Sequence, residues 1–154
     1  TEWRLGLRNG WKSQPILAAL RVSRPDARVS VLCSGACAEA LSRRPDCADA
    51  VIELPPRALG KLPRLKFFGR LSLSYPDINI VFDGSVAADM EAYALGAQQR
   101  NAVESSRRRH FMTGVYKAAG GGGEPNPRLI LETLEYFGMK SADCAEIKQS
   151  EVKL

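Results

Sequence analysis

Trp3-Arg-Leu-Gly-Leu-Arg-Asn-Gly-Trp-Lys-Ser-Gln-Pro-Ile-Leu-Ala-Ala-Leu20 is the stretch from which the fold is read. Its short apolar run (Trp3, Leu5, Leu7) stops at Asn9-Gly10, a pair that tolerates left-handed dihedrals and so makes a turn. Ser13 then offers a helix cap, and Pro15 suits a first helical turn, where a missing N–H costs nothing. Ile16, Leu17 and Leu20 follow at helical spacing. The order is strand, loop, helix. In an open α/β sheet, the loop after the first strand lies at the carboxyl edge, where ligands bind.

The same alternation continues outward. Residues 27–33 predict a second strand, 36–44 a short helix, and 50–54 a third strand closed by Pro55-Pro56. Residues 59–73 form a basic amphipathic segment, with Leu62, Leu65 and Phe68 marking one face and Lys61, Arg64, Lys66 and Arg70 the others. Ile78 to Phe82 reads as the clearest strand, followed by Asp83-Gly84-Ser85 and a helix from Val86 to Leu95. Residues 97–110 read as an irregular polar run ending in Arg107-Arg108-Arg109-His110, and Gly120 to Gly123 as a loop. Asn126-Pro127 opens a last helix with Ile130, Leu131, Leu134 and Phe137 as its stripe and Gly138 just past its end. Strands alternating with helices predict an α/β, Rossmann-like fold: a mostly parallel sheet with helices on both faces. Residues 1–140 are expected to form this domain, and residues 141–154 a polar tail or interdomain linker.

Composition narrows the function class. The 154 residues are 45% hydrophobic and 25% charged, ordinary for one globular domain with a real core. No apolar run reaches the roughly 18–20 residues needed to span a bilayer, and no signal-peptide pattern is seen. The expected location is therefore cytoplasmic. The four cysteines (Cys33, Cys37, Cys47, Cys144) and one histidine lack zinc-site spacing, so they read as reduced thiols and no metal is expected. A net charge of +5 favours an anionic partner. The Arg107–His110 cluster lacks interleaved aromatics apart from Phe111, which argues against a nucleic-acid groove.

Several strings, in order, resemble the amino-terminal domain of bacterial heptosyltransferases, glycosyltransferase family 9. They are Arg4-Leu5-Gly6, Pro15 to Leu20, Arg24-Pro25-Asp26-Ala27-Arg28-Val29, and Pro45-Asp46 with Val51 to Pro55. Tyr75 to Asp83, Ala94-Leu95-Gly96-Ala97 and Leu134 to Gly138 extend the series over nearly the whole chain. The resemblance implies the acceptor-side half of a two-domain GT-B enzyme of lipopolysaccharide biosynthesis. It implies an anionic sugar acceptor, a nucleotide-sugar donor (ADP-linked) held by a second α/β domain or chain, and no other cofactor. A peripheral contact at the inner face of the cytoplasmic membrane accompanies it. A chain ending at Leu154 is expected to lack the donor domain. The position of the family's general-base Asp falls on Asn9, whose amide cannot take a proton from the acceptor hydroxyl.

Each site residue carries two readings. Asn9, Gly10, Lys12 and Ser13 are a ligand loop or a plain turn with a cap. Lys61 and Arg64, with Lys66 and Arg70, wall an anionic acceptor site or decorate a solvated helix. Asp83, Gly84 and Ser85 point into the ligand crevice or form a turn and cap. The expected function is a heptosyltransferase-related domain, doubtful as a catalyst by itself. The alternative is a non-catalytic binding or assembly module, self-associating as a homo-oligomer or partnered by another chain.

Overall fold

A computed structural model describes residues 2–6, 14–71, 76–82, 85–103, 110–117 and 127–139. Six strands pair in parallel: β1 (Glu2–Gly6), β2 (Arg28–Cys33), β3 (Ala50–Glu53), β4 (Ile78–Val81), β5 (Gln99–Val103) and β6 (Gly114–Tyr116). They lie in the order β3-β2-β1-β4-β5-β6, the doubly wound arrangement expected from the sequence. Helices α1 (Gln14–Ser23), α2 (Gly35–Ser42), α3 (Lys61–Leu71), α4 (Val86–Ala94) and α5 (Pro127–Tyr136) cover it.

The two faces differ in chemistry. Trp3, Leu5, Val29, Val31 and Ile80 turn to one side and pack with Ile16, Leu17 and Leu20 of α1, Leu41 of α2, and Leu131 and Leu134 of α5. Hydrophobic burial at roughly 25 cal/mol per Å² makes this the dominant cohesive layer. Leu32 packs with Phe68 of α3 and Leu95 on the opposite side, and Val81 with Ala88 and Ala92 of α4.

That second face also carries a polar row. Ser30, Arg4, Asn79 and Arg100 are register partners across β2, β1, β4 and β5. Arg4 is buried, and its Nη1 donates to the Leu71 carbonyl at 3.0 Å while its Nε reaches Glu2 at 3.1 Å. A cation thus satisfies a carbonyl at the last turn of α3, where the helix dipole favours it. Arg100 donates to the carbonyls of Ala97 and Phe111, each at 2.8 Å, and stacks over Tyr93.

This row explains a difference from the sequence reading. Residues 99–103 form a strand although they show no alternation, because Arg100 belongs to one face and Asn101 to the other. β6 has only three residues at the sheet edge, too short to signal itself. The face of α3 is corrected as well: Leu62 is 65% exposed, whereas Arg64 is buried. Gly138, at φ 125°, ends the last helix as its position predicted.

Arg24 fastens the start of β2 to the core. Its guanidinium lies 5.2 Å above the Trp3 ring, chelates Asp26 at 2.8 and 2.9 Å and reaches the Gly138 carbonyl. Those bonds hold the Asp26 carboxyl at about 2.

Two outcomes follow. Leu134→Ala, deleting a fully buried side chain between α5 and the sheet, should cost about 2–5 kcal/mol in denaturant unfolding. In an NMR titration, Asp26 should ionise near pH 2, so its bond to Arg24 persists above the ordinary carboxylate range and is lost as pH falls through 2. Arg24→Leu should return the midpoint toward ~4.

Candidate functional site

The chain winds one way from β1 to β3, then crosses to β4 on the other side of β1. That reversal makes the carboxyl ends of β1 and β4 the expected ligand crevice. Gly6 pairs with Val81, and the Phe82 N–H donates to the Gly6 carbonyl at 3.2 Å. The described ends of β1 and β4 therefore adjoin in the sheet. Asn9, Gly10, Lys12, Ser13, Asp83 and Gly84 themselves lie outside the described residues, as do Arg107 to Arg109. Ser85 is described: its Oγ accepts from the Ala88 N–H at 3.2 Å and caps α4.

Beside that crevice, on the α3/α4 face, is a groove of about 320 Å³. A 3-10 turn at Arg57–Leu59, Gly60 and the first turns of α3 form one wall, and Val86, Ala87, Met90 and Glu91 of α4 form the other. Both helices present their amino-terminal ends to this edge. Gly60, at φ 86° and ψ 174°, occupies a backbone region essentially restricted to glycine. That turn lets Arg57 and Lys61 both line the groove.

Lys61 and Arg64, singled out together from the sequence, do different work. Arg64 Nε donates to Glu91 Oε1 at 2.6 Å, and its Nη1 donates to the Pro55 carbonyl. With side-chain exposures of 8% and 14%, this is a partly dehydrated ion pair fixing α3 to α4. Lys61 is exposed and, among the described residues, makes no ion pair or hydrogen bond. Leu65, Val86, Ala87 and Met90 give the groove an apolar floor. The groove thus has a cationic end and an apolar length.

Arg57, Met90 and Glu91 escaped the sequence reading. Arg57 extends the basic series of α3 and was findable as such. The Arg64–Glu91 pair spans 27 residues, and no local pattern announces it.

At the same edge, Cys33 ends β2 and Cys37 lies in the first turn of α2, both buried and neither in a disulfide. Contact with Cys37, then burial, push the Cys33 thiol well above its ordinary value. That shift favours the thiol, a less nucleophilic form than the thiolate. Cys47 is also buried and free, and His110 is exposed.

Two solved structures share the fold. One is a glycosyl transferase family 9 protein from Veillonella parvula, with TM-score 0.74 and 15% identity over 90% of this chain and 41% of that one. The other is ADP-heptose LPS heptosyltransferase II from E. coli, with TM-score 0.62 and 18% identity over 77% of this chain and 35% of that one. The chain thus spans well under half the length of the proteins it matches. No family model and no curated protein matches it.

Removing Glu91 leaves a buried guanidinium short of its carboxylate. Glu91→Leu should cost about 3–5 kcal/mol in chemical unfolding, and the double replacement Arg64→Met/Glu91→Leu should regain most of that loss.

Proposed function

We propose that this chain is the acceptor-side half of a heptosyltransferase-like glycosyltransferase of lipopolysaccharide assembly, binding an anionic sugar acceptor at the carboxyl edge of the sheet. The fold match over 90% of the chain supports the half-enzyme reading. One observation carries the choice of an anion. The first turn of α3 has no acid, and its Lys61 is exposed with no ion pair or hydrogen bond among the described residues, Arg64 being compensated by Glu91. A helix amino terminus prefers negative charge, so cations there cost stability unless a ligand compensates. Local rules broken in this way mark functional sites.

In this reading the acceptor's phosphate or carboxylate pairs with Lys61 and Arg57, and its sugar ring rests on Val86 and Met90. Arg64 holds the wall rather than the ligand. The resemblance adds Lys12, Ser13, Asp83 and Gly84 as acceptor-binding positions. A donor domain brings an ADP-linked sugar. The acceptor hydroxyl oxygen then attacks the anomeric carbon, the nucleoside diphosphate leaves, and the configuration inverts. Asn9 supplies no base for the hydroxyl proton, and losing such assistance typically costs 10²–10⁴-fold. The transfer therefore depends on a base from elsewhere, or the domain serves binding alone.

Two experiments test this. In titrations with glucose 6-phosphate, Lys61→Ala should weaken binding about tenfold, the loss of a charge-assisted contact, while glucose binds far more weakly to both. Equal affinity for the charged and uncharged sugar would remove the anion site. From its native source, the chain should be recovered within a polypeptide of about two domains, or tightly bound to a second α/β chain. Recovery at 16.8 kDa with no companion would leave a binding module instead.

A further inference from the structure

Two thiols meet where β2 turns into α2. Cys33 is the last residue of the strand, and Cys37 follows in the first turn of the helix after Ser34-Gly35-Ala36. The Ser34 carbonyl accepts from the Ala38 N–H at 2.8 Å, which starts the helix directly behind the strand. Both side chains belong to one buried cluster, with exposures of 0% and 3%. Contact with Cys37 is the largest cause that holds the Cys33 proton, ahead of burial. A carboxylate covers the turn between them. Glu53 is the register partner of Cys33, and its Oε1 lies 2.7 Å from where a Cβ on Gly35 would stand. Glycine at that position is what admits the acid so close to the backbone. Among the described residues, no group of three or more His, Cys, Asp and Glu side chains is placed to hold a metal ion.

We propose that Cys33 and Cys37 form a dithiol that a hydroperoxide oxidises to an intrachain disulfide, a modification site separate from the acceptor groove. The first turn of α2 favours negative charge at Cys37, so that sulfur reacts first. Its thiolate attacks one oxygen of hydrogen peroxide, the O–O bond breaks, and the departing hydroxide takes a proton and leaves as water. Cys37 is then a sulfenic acid. The Cys33 sulfur attacks the Cys37 sulfur, the S–O bond breaks, and the hydroxide leaves with the Cys33 proton as a second water. The two thiols lose two electrons and the peroxide gains them. The first step eases the second, because it removes the Cys37 charge that opposes ionisation of Cys33. Burial and the acid select the oxidant. A site this enclosed, under the Glu53 carboxylate, excludes bulky anionic glutathione disulfide and admits a small neutral peroxide. The inference does not rest on the acceptor reading, because it uses neither α3 nor α4.

The test treats the folded chain with hydrogen peroxide, unfolds it, blocks the remaining thiols with iodoacetamide and weighs the tryptic peptides. Cleavage after Arg28 and Arg43 leaves both cysteines in one peptide, residues 29–43. After peroxide, that peptide should take no alkyl group and be about 2 Da lighter than its thiol form, two hydrogen atoms lost. Dithiothreitol should restore both thiols. Cys47, buried with its Sγ donating to the Gln14 carbonyl at 3.5 Å, is the internal control and should stay alkylated throughout. In Cys33→Ser, dimedone should trap a sulfenic acid at Cys37, whereas Cys37→Ser should leave Cys33 unmodified. The measurement on the parent chain needs no variant, so misfolding of a serine variant leaves it decisive. A peptide 29–43 that keeps two alkylatable thiols, oxidation of Cys47 at the same rate, or a mixed disulfide formed on the pair by glutathione disulfide would overturn the inference.

Discussion

β1 is enclosed on all sides, and the remaining structure is arranged to satisfy it. β2 and β4 pair with its two edges. Trp3 and Leu5 need an apolar layer on one face, which α1, α2 and α5 supply. Arg4 needs acceptors on the other face, which Glu2 and the end of α3 supply. A buried guanidinium without such partners would cost several kcal/mol. The position of α3 is thereby set twice, by Arg4 at its carboxyl end and by Arg64 near its amino end.

The candidate site is a consequence of that placement. Arg64 spends its charge on Glu91 and Pro55, tying the segment after β3 to α4. With the walls so fixed, the turn at Gly60 brings Arg57 and Lys61 to the open edge of the groove. The division of labour is physical: burial obliges Arg64 to take a partner, whereas exposed Lys61 makes no ion pair or hydrogen bond among the described residues.

Much of the fold was legible in the sequence. Apolar runs, Pro and Gly breaks and a repeated strand–helix order located the first four strands and all five helices, and they implied parallel pairing. What escaped is what local pattern cannot encode. β5 places polar Arg100 and Asn101 on opposite faces, so it carries neither alternation nor a continuous apolar run. Leu62 was assigned inward because leucine spacing suggested it, but the ion pair to Glu91 turns Arg64 in its place and leaves Leu62 in solvent. Of the site, the basic series on α3 was readable, whereas its apolar wall on α4 depends on tertiary contact. The loop positions Asn9 to Ser13 rest on resemblance and on the adjoining ends of β1 and β4.

The most direct measurement is amide chemical-shift mapping of the chain during titration with a sugar phosphate. The account predicts saturable shifts concentrated at residues 57–65 and 85–91, diminished by Lys61→Ala. Shifts clustered instead on α1 and α5, or changes spread evenly over the surface lysines and arginines, would contradict it.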